Sequence, residues 1–175
     1  MDAIETILNR KSIRHYTNQK IKDETLQLIL KAGMSGPSCT NARDWQFIVV
    51  RDKNTLLAMA EANGRPAKPL ENADVGILIC GDLEKAFKQA KDYWVIDAAI
   101  AAQNMTLAAH ALGIGSVWLG TWPQTERVQA QSELFKLPPS IIPHSILAFG
   151  YPDDPQAEAK IKPDMEENKI HYEKW

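Results

Sequence analysis

The sequence predicts a single domain in which helices and strands alternate along the chain. Its 175 residues suit one domain with a sizeable core. Apolar residues recur at helical spacing in some segments and form short continuous runs in others. No linker, internal repeat or low-complexity tract divides the chain. We therefore treat residues 1–175 as one domain.

Two helices are predicted before the first strand. Residues 2–5 have the form of a capping box, and an apolar stripe follows at helical spacing, formed by Ile4, Ile7 and Leu8. A second helix is predicted to begin with Asp23 as its cap and to stop at Gly33. Residues 33–43, rich in Gly, Pro, Ser and Asn, predict a loop.

The remaining elements follow from the same patterns. Short apolar runs predict strands over residues 45–50, 75–80, 116–119 and 145–149, and helical patterns are found over 54–62, 85–93 and 125–134. The run at 75–80 is almost continuously apolar, so this strand should be buried on both faces.

Residues 95–112 form the most apolar segment and predict a helix buried on every side. Alanine fills seven of its positions, with Ile100, Met105 and Leu107 among the others. A helix that is apolar nearly all round needs cover on each face. That cover comes either from the core of one chain or from a second subunit, and the sequence leaves both open.

Arg10, Ser12 and Arg14 occupy alternate positions directly after the first predicted helix. In an extended chain, alternate residues project from one face, so these three converge while Lys11 and Ile13 point away. Two guanidinium groups and a hydroxyl suit a phosphate, because arginine donates paired, charge-assisted hydrogen bonds to phosphate oxygens. A basic cluster that favours the negative end of the helix dipole has the same spacing, and spacing alone does not choose between the two.

Composition argues against several classes of protein. The formal net charge of -2, with 45% hydrophobic and 24% charged residues, gives no reason to expect binding to nucleic acid or to an anionic membrane. Asp97, Gln103, Asn104 and His110 interrupt the apolar segment, which argues against a membrane span, and no secretory leader is recognisable. The two cysteines define no disulfide framework. We expect a cytoplasmic location.

Other enzyme motifs do not fit. The glycines at 113 and 115 follow a helix and precede a strand, the reverse of the order in a dinucleotide-binding fold, so Gly113 is predicted to be a helix C-cap. Metal-ligand spacing is lacking at the four histidines, His15, His110, His144 and His171. Cys39 has no identifiable basic partner to activate it, and Cys80 is predicted to lie in the core. We predict no metal site.

Five segments together resemble the nitroreductase family of FMN-dependent oxidoreductases. Residues 10–16 are similar to its N-terminal R-R-S-x-R-x-Y/F element, and residues 36–47 to its P-S-x-x-N-x-Q-P-W-x-F segment. Residues 97–104 and 113–120 look like its central helix and the following glycine-rich strand, and residues 170–175 match a common ending of its short members. The resemblance spans residues 4–175 in the family's order.

The resemblance implies an α+β fold, with a mixed sheet flanked by helices, in an intertwined homodimer with two FMN sites at the interface. It implies that Arg10, Ser12 and Arg14 hold the FMN phosphate and neighbouring ribityl or ring oxygens, with Lys11 in the same cofactor-binding segment. The rest of the implied site comprises Pro37, Ser38, Cys39 and Asn41 from the other subunit, backbone amides near Leu119 and Gly120 beside the reactive N5 edge of the ring, and a late lysine at the phosphate, Lys162 or else Lys160.

The implied chemistry belongs to the cofactor. FMN takes a hydride from NAD(P)H and passes electrons to a small acceptor such as a nitroaromatic or a quinone, so turnover is expected to be ping-pong. No side-chain nucleophile is needed, and we assign no catalytic residue. A guanidinium such as Arg14 would stabilise negative charge at the N1–O2 edge of the reduced flavin. The alternatives are an enzyme of the same superfamily that consumes flavin or dehalogenates its substrate, and a flavin-binding sensor or storage protein.

Two features of the chain depart from the family pattern or leave a choice. Arg43 and Asp44 replace the usual Gln-Pro before Trp45, which changes the shape or charge of the pocket rim. Tyr93 and Trp94 either line the pocket or pack in the core.

Overall fold

The computed structural model describes residues 2–154 and 165–175. In these residues the α-helices are α1 (Ala3–Asn9), α2 (Asp23–Gly33), α3 (Lys53–Asn63), α4 (Tyr93–Ala111) and α5 (Thr125–Phe135), and the strands are β1 (Trp45–Val50), β2 (Val75–Asp82), β3 (Gly115–Gly120) and β4 (Ile141–Gly150). Short 3-10 segments occur at Cys39–Asn41, Arg65–Asn72 and Glu167–Lys169. The segment Arg65–Asn72 was not predicted from the sequence.

The four strands form one sheet in the order β1-β2-β4-β3. Every neighbouring pair is antiparallel, because the helical connections from β1 to β2 and from β3 to β4 return to the end of the sheet that they left. The α+β class is confirmed. The expected mixed sheet is not seen among these strands, whose pairing is antiparallel throughout. Parallel pairing is recorded at one isolated bridge, between Ser12 and Ser116.

Helices cover both faces of the sheet, and the alternation along β2 assigns its side chains to each face. Ile77 and Ile79 pack with α2 and α4, whereas Leu78 and Cys80 pack with residues of α3 on the other face. All eight residues of β2 are buried, as its apolar run predicts. The sheet thus separates two apolar cores.

The prediction of a helix over residues 85–93 is wrong. This segment forms successive turns closed by i to i+3 backbone hydrogen bonds, such as those from Ala90 N–H to the Phe87 carbonyl and from Trp94 N–H to the Lys91 carbonyl. Few apolar residues recur at helical spacing here, so no continuous face anchors a longer helix. Helix α4 therefore begins only at Tyr93.

The helix ends agree with the sequence in part. Asp2 caps α1 by accepting a hydrogen bond from Glu5 N–H at 2.9 Å. Asp23 does not cap α2: it is the first helical residue, Lys22 holds the cap position, and the Asp23 carboxylate pairs with Arg51 instead. Gly113 ends α4 with φ 75°, the left-handed backbone that favours glycine.

Helix α4 is buried on one side rather than on all sides of this chain. The buried side chains include Ala98, Ala102 and Met105, which pack against the sheet and α2. Ile96 remains exposed on the opposite side. The apolar stripe of α1 is exposed as well. These apolar surfaces lie on the outside of the single chain.

Candidate functional site

The predicted site residues lie at the two ends of the sheet. We call one end the loop end, formed by the strand residues Trp45, Asp82, Ile141 and Gly120. We call the other the arginine end, formed by Val50, Val75, Gly150 and Gly115. The names refer to the segments that meet each end.

The segment with the two arginines is held at the arginine end by backbone pairing. Ser12 forms the bridge to Ser116 in β3, and Ile13 N–H donates to the Ser116 carbonyl at 2.8 Å. Ile13 is buried, whereas Arg10 and Ser12 are half-buried and Arg14 is exposed. Ile13 is thus turned inward, away from the exposed Arg14, as the alternation predicts, whereas Lys11 is half-buried like Arg10 and Ser12.

The loop that precedes β1 is packed against the first half of α4. Cys39 N–H donates to both carboxylate oxygens of Asp97, at 3.0 and 3.1 Å. A Cβ at position 36 would lie 2.6 Å from the Ile100 Cγ2 atom, so any residue other than glycine there would require Ile100 to move. Pro37 and Asn41 are exposed and Ser38 is half-buried. The loop is therefore anchored by its backbone while its tip faces outward.

This loop has unusual backbone geometry. Thr40, Asn41 and Arg43 have φ angles of 51°, 59° and 51°, a conformation that costs energy for residues other than glycine. Ser38 supports the turn, because its hydroxyl oxygen accepts a hydrogen bond from Arg43 N–H at 2.9 Å. Such strain persists only where surrounding contacts impose it.

One chain does not bring the loop and the arginine segment together. The loop ends at the loop end of the sheet, and Ser12 lies at the arginine end. Val75 and Gly81, which mark these ends along β2, are six residues apart, or about 20 Å. The arginine segment also pairs with β3, which is three strands away from β1 in the sheet, or about 14 Å. A ligand group held by Arg10 and Arg14 therefore lies at the opposite end and the opposite edge of the sheet from the same chain's loop.

The backbone at Leu119 and Gly120 is held by hydrogen bonds from side chains that the sequence analysis did not identify. The Gly120 carbonyl accepts hydrogen bonds from Asn63 Nδ2 at 3.2 Å and from Arg127 Nη1 at 2.9 Å. Thr121 in turn donates its hydroxyl to Asn63 Oδ1 at 2.8 Å. Asn63 is fully buried at the end of α3. No local sequence signal links Asn63 to Gly120 and Thr121, which are 57 and 58 positions away.

Three buried carboxyl groups lie together beneath the loop: Asp44, Asp82 and Asp97. Burial, followed by the charge of Asp97, raises the pKa of Asp44 to about 6. The pKa of Asp97 is also raised by burial, and the hydrogen bond from Cys39 N–H opposes that rise. Asp82 accepts from Glu84 N–H at 3.1 Å and lies 3.5 Å from Lys85 Nζ. Asp44 therefore differs from its two neighbours in lacking such a donor.

Aromatic side chains surround His144 on the α4 side of the loop end. The ring centroids of Trp94 and Trp118 each lie 5.8 Å from that of His144 in T-shaped contacts, and the Trp94 and Trp122 centroids are 5.2 Å apart. Burial lowers the pKa of His144 to about 4. Trp94 is buried in the core and Tyr93 is exposed, so the choice left open by the sequence is resolved towards the core for Trp94.

The remaining residues from the sequence analysis are the two cysteines, the two late lysines and the possible metal ligands. Cys80 is buried in the core, as predicted, and burial raises the pKa of its thiol to about 12. The pKa of the Cys39 thiol is raised too, by desolvation and by the charges of Asp97 and Asp44, which disfavours a nucleophilic thiolate. Lys160 and Lys162 lie outside the described residues. Within residues 2–154 and 165–175, no group of His, Cys, Asp or Glu side chains could hold a metal ion.

The described part of the chain also contains no helix long and apolar enough to cross a membrane.

Comparison with known proteins identifies the family. The Nitroreductase family profile matches residues 7–71 and 60–151. A protein of Archaeoglobus fulgidus, provisionally named an NADH dehydrogenase/NAD(P)H nitroreductase, is 42% identical over 178 residues, with 99% of each chain covered. The fold class is therefore the nitroreductase fold, and this chain belongs to the nitroreductase family.

Solved structures agree with this assignment. The structure of an FMN-dependent nitroreductase from Clostridium difficile has a TM-score of 0.89 and 32% identity, with 98% of this chain and 99% of that chain covered. An NADPH:FMN oxidoreductase from Vibrio harveyi, solved in complex with NAD+, has a TM-score of 0.86 and 26% identity, with 98% and 77% covered.

Proposed function

We propose that this protein, an FMN-dependent NAD(P)H oxidoreductase of the nitroreductase family, reduces a small acceptor such as a nitroaromatic or a quinone by a ping-pong mechanism. Bound FMN supplies the redox chemistry, because its ring accepts a hydride and passes electrons on. The protein has to hold the cofactor, leave one face of it open to NAD(P)H and acceptor in turn, and tune its charge. No protein nucleophile enters this scheme.

The observation that carries the proposal is the phosphate-suited segment tethered to β3. The bridge from Ser12 to Ser116 fixes this segment at a defined place. Arg10 and Arg14 offer charged donors and Ser12 a hydroxyl, the donor set that a phosphate group prefers. Gly120 lies four residues further along β3 than Ser116, about 13 Å away, which suits an elongated ligand with a phosphate at one end.

We assign the second part of each site to a partner subunit. Support comes from the separation of the loop and the arginine segment in one chain, and from the apolar surface that one chain leaves open. The exposed residues of this surface are Ile4, Ile7 and Leu8 of α1, Ile96 of α4, and Tyr172 and Trp175 near the C-terminus. Trp175 is fully exposed. An obligate homodimer interface typically buries more than ~2,000 Å² and is rich in apolar side chains.

The direct test is the content of flavin and the turnover of the purified protein. We expect a yellow protein with about one FMN per chain, which oxidises NAD(P)H slowly alone and faster when a quinone or nitroaromatic is added anaerobically. A colourless protein that takes up no FMN on reconstitution would refute the proposal. A yellow protein without NAD(P)H oxidation under any acceptor would instead indicate a flavin sensor or store.

Two arginine variants test the binding segment. The loss of one hydrogen bond to a charged group typically costs ~1.5–3 kcal/mol, which is roughly ten- to a hundredfold in affinity. We expect Arg10→Ala and Arg14→Ala each to raise the FMN dissociation constant by this amount. Lys11→Ala is the matched control, because alternation turns its side chain away. Equal effects of all three would indicate a diffuse basic patch.

A mixed dimer tests the shared site. If one subunit carries Arg14→Ala and the other Asn41→Ala, one site has both defects and the other has neither. Co-refolding of the two variants should then restore part of the activity that each homodimer lacks. A fully active monomer on sedimentation, or no recovery in a verified mixed dimer, would contradict the two-chain site.

A further inference from the structure

The buried carboxyl pair beneath the loop has a feature that FMN binding by the loop tip does not explain. Asp44 is fully buried, and neither of its carboxyl oxygens meets a hydrogen-bond donor among the described residues. Its carboxyl group lies within hydrogen-bonding reach of Asp97. Two ionised carboxylates are acceptors only, so a hydrogen bond between them requires a proton shared by the pair.

The contacts of each residue indicate where this proton resides. Asp97 accepts the Cys39 N–H on both oxygens, and hydrogen bonds of this kind favour the ionised form. The Asp44 oxygens meet no donor from another residue, and burial and the charge of Asp97 raise the pKa of Asp44 more than its own backbone N–H lowers it. The proton is therefore held on Asp44 more readily than on Asp97. Below the Asp44 pKa of about 6, the arrangement is therefore a neutral Asp44 that donates its O–H to an ionised Asp97.

Of the charged groups around the pair, Asp82 favours the same arrangement. Asp82, from β2, adds a further negative charge that raises the pKa of Asp44. Lys85 lies near Asp82 and is mostly exposed, so its charge is screened by water. The Arg43 guanidinium lies over the Trp45 ring, 5.3 Å from its centroid.

The pair connects both ends of the strained part of the loop to α4. Cys39 is bound to Asp97 through its backbone, and Asp44 directly follows Arg43, the last of the three residues with positive φ. The Asp44 carbonyl also accepts from Asp82 N–H at 2.7 Å, so the backbone at Asp44 is fixed to the sheet. A hydrogen bond between the two carboxyl groups therefore links the two ends of residues 39–44 to each other. We call this linkage, from Cys39 through Asp97 to Asp44, the bracket.

We propose that Asp44 is a positioning residue: as a neutral acid it donates a hydrogen bond to Asp97 and so holds the loop in the shape that reaches the partner's FMN. This inference rests on the proposed function of the loop. When Asp44 loses its proton, two buried carboxylates repel each other, the bracket opens, and FMN binding weakens.

The test compares the wild-type protein with Asp44→Asn across pH 5 to 8. The carboxamide of Asn donates N–H to Asp97 at every pH and thus imitates the protonated acid. FMN release from the holoprotein on dilution, followed by flavin fluorescence, gives each dissociation constant. The FMN phosphate gains its second charge near pH ~6, which affects binding to both proteins. The FMN dissociation constant of the wild type is therefore divided by that of Asp44→Asn at each pH.

We expect the two proteins to bind FMN equally at pH 5 and the wild type to bind roughly tenfold more weakly than Asp44→Asn at pH 8. Asp92→Asn, the same loss of charge at an exposed position before α4, should follow the wild type. Asp44→Ala should bind weakly at every pH. A ratio of wild type to Asp44→Asn that stays constant from pH 5 to 8 would overturn the proposal.

A second measurement does not need FMN. Hydrogen exchange of the peptide that contains Cys39, corrected for intrinsic rates, should show protection lost between pH 5 and 8 in the wild type and retained in Asp44→Asn. If the protein binds no FMN but shows this difference, the proposed function fails and the bracket stands. If both proteins exchange equally at every pH, the bracket fails whatever FMN does.

Discussion

Removal of the Asp74 carboxylate is expected to destabilise the protein far more than removal of the other acid that contacts the same arginine. Arg51 pairs with Asp74 Oδ2 at 3.0 Å and with Asp23 Oδ1 at 3.1 Å. The Asp74 side chain is 3% exposed and that of Asp23 is 85% exposed. The two distances are nearly equal, so the two Arg51 pairs differ mainly in burial. Asp74 has further partners as well, among them Lys20 Nζ at 2.9 Å.

The magnitude follows from what each substitution leaves behind. Asp74 also accepts the N–H of the buried Ile21 at 2.8 Å. Asp74→Ala leaves this N–H without an acceptor and removes the buried partner of Arg51, and such losses cost ~3–5 kcal/mol. Arg51 is one-third exposed and keeps the Ile21 carbonyl as an acceptor, so we expect the lower end, about 3 kcal/mol. Asp23→Ala breaks a surface pair and should cost at most ~0.5 kcal/mol.

The assay is urea unfolding at one fixed protein concentration with saturating FMN, because association and ligand binding both contribute to apparent stability. An effect of about 3 kcal/mol corresponds to a midpoint shift of ~1–1.5 M at a slope of 2–3 kcal/mol/M, or to a loss of roughly 6–12 °C in Tm. Asp74→Asn, which keeps the shape, serves if the alanine variant does not fold. Similar shifts for the Asp74 and Asp23 variants would refute the argument from burial.

Three further outcomes can be measured. Burial lowers the pKa of His144 to about 4, below its value of ~6.5 in the unfolded chain, so the free energy of unfolding decreases as pH falls through this window. In urea unfolding, the decrease between pH 7 and pH 5 should be about 2 kcal/mol smaller in His144→Gln than in the wild type. Asp44 acts in the opposite sense, because its pKa is raised to about 6 and the free energy of unfolding therefore decreases as pH rises. The decrease between pH 5 and pH 7 should be about 1 kcal/mol smaller in Asp44→Asn than in the wild type. An unchanged pH dependence of the free energy of unfolding would contradict the raised pKa. In the native protein a thiol reagent should modify Cys39 and spare the buried Cys80, as counted by mass spectrometry; equal labelling of both would show that the core opens.

The predicted family was confirmed, and the predicted site residues remain a proposal. The order of residue types in 10–16 and 36–47 was enough to suggest a nitroreductase, because backbone-proximal phosphate and flavin contacts depend on local sequence. The contacts that anchor the loop and Gly120 could not be predicted from the sequence. Asp97 meets Cys39 across 58 positions, and Asn63 meets Gly120 across 57, and no single-sequence pattern encodes a pairing at that distance.

The same division holds for the fold. By itself the sequence determined the position of the strands, the central helix and the glycine that ends it, because side-chain periodicity and left-handed turns are local properties of the chain. It misplaced the helix at 85–93, where charge and helix propensity were present but no apolar face was. Tertiary structure alone decided that the strands are antiparallel, that α4 is covered on one side, and that the loop and Arg14 lie at opposite ends of one sheet. It also placed Asp44 without a donor against Asp97, because the cost of burying a charge depends on neighbours that the folded backbone brings in from elsewhere in the chain.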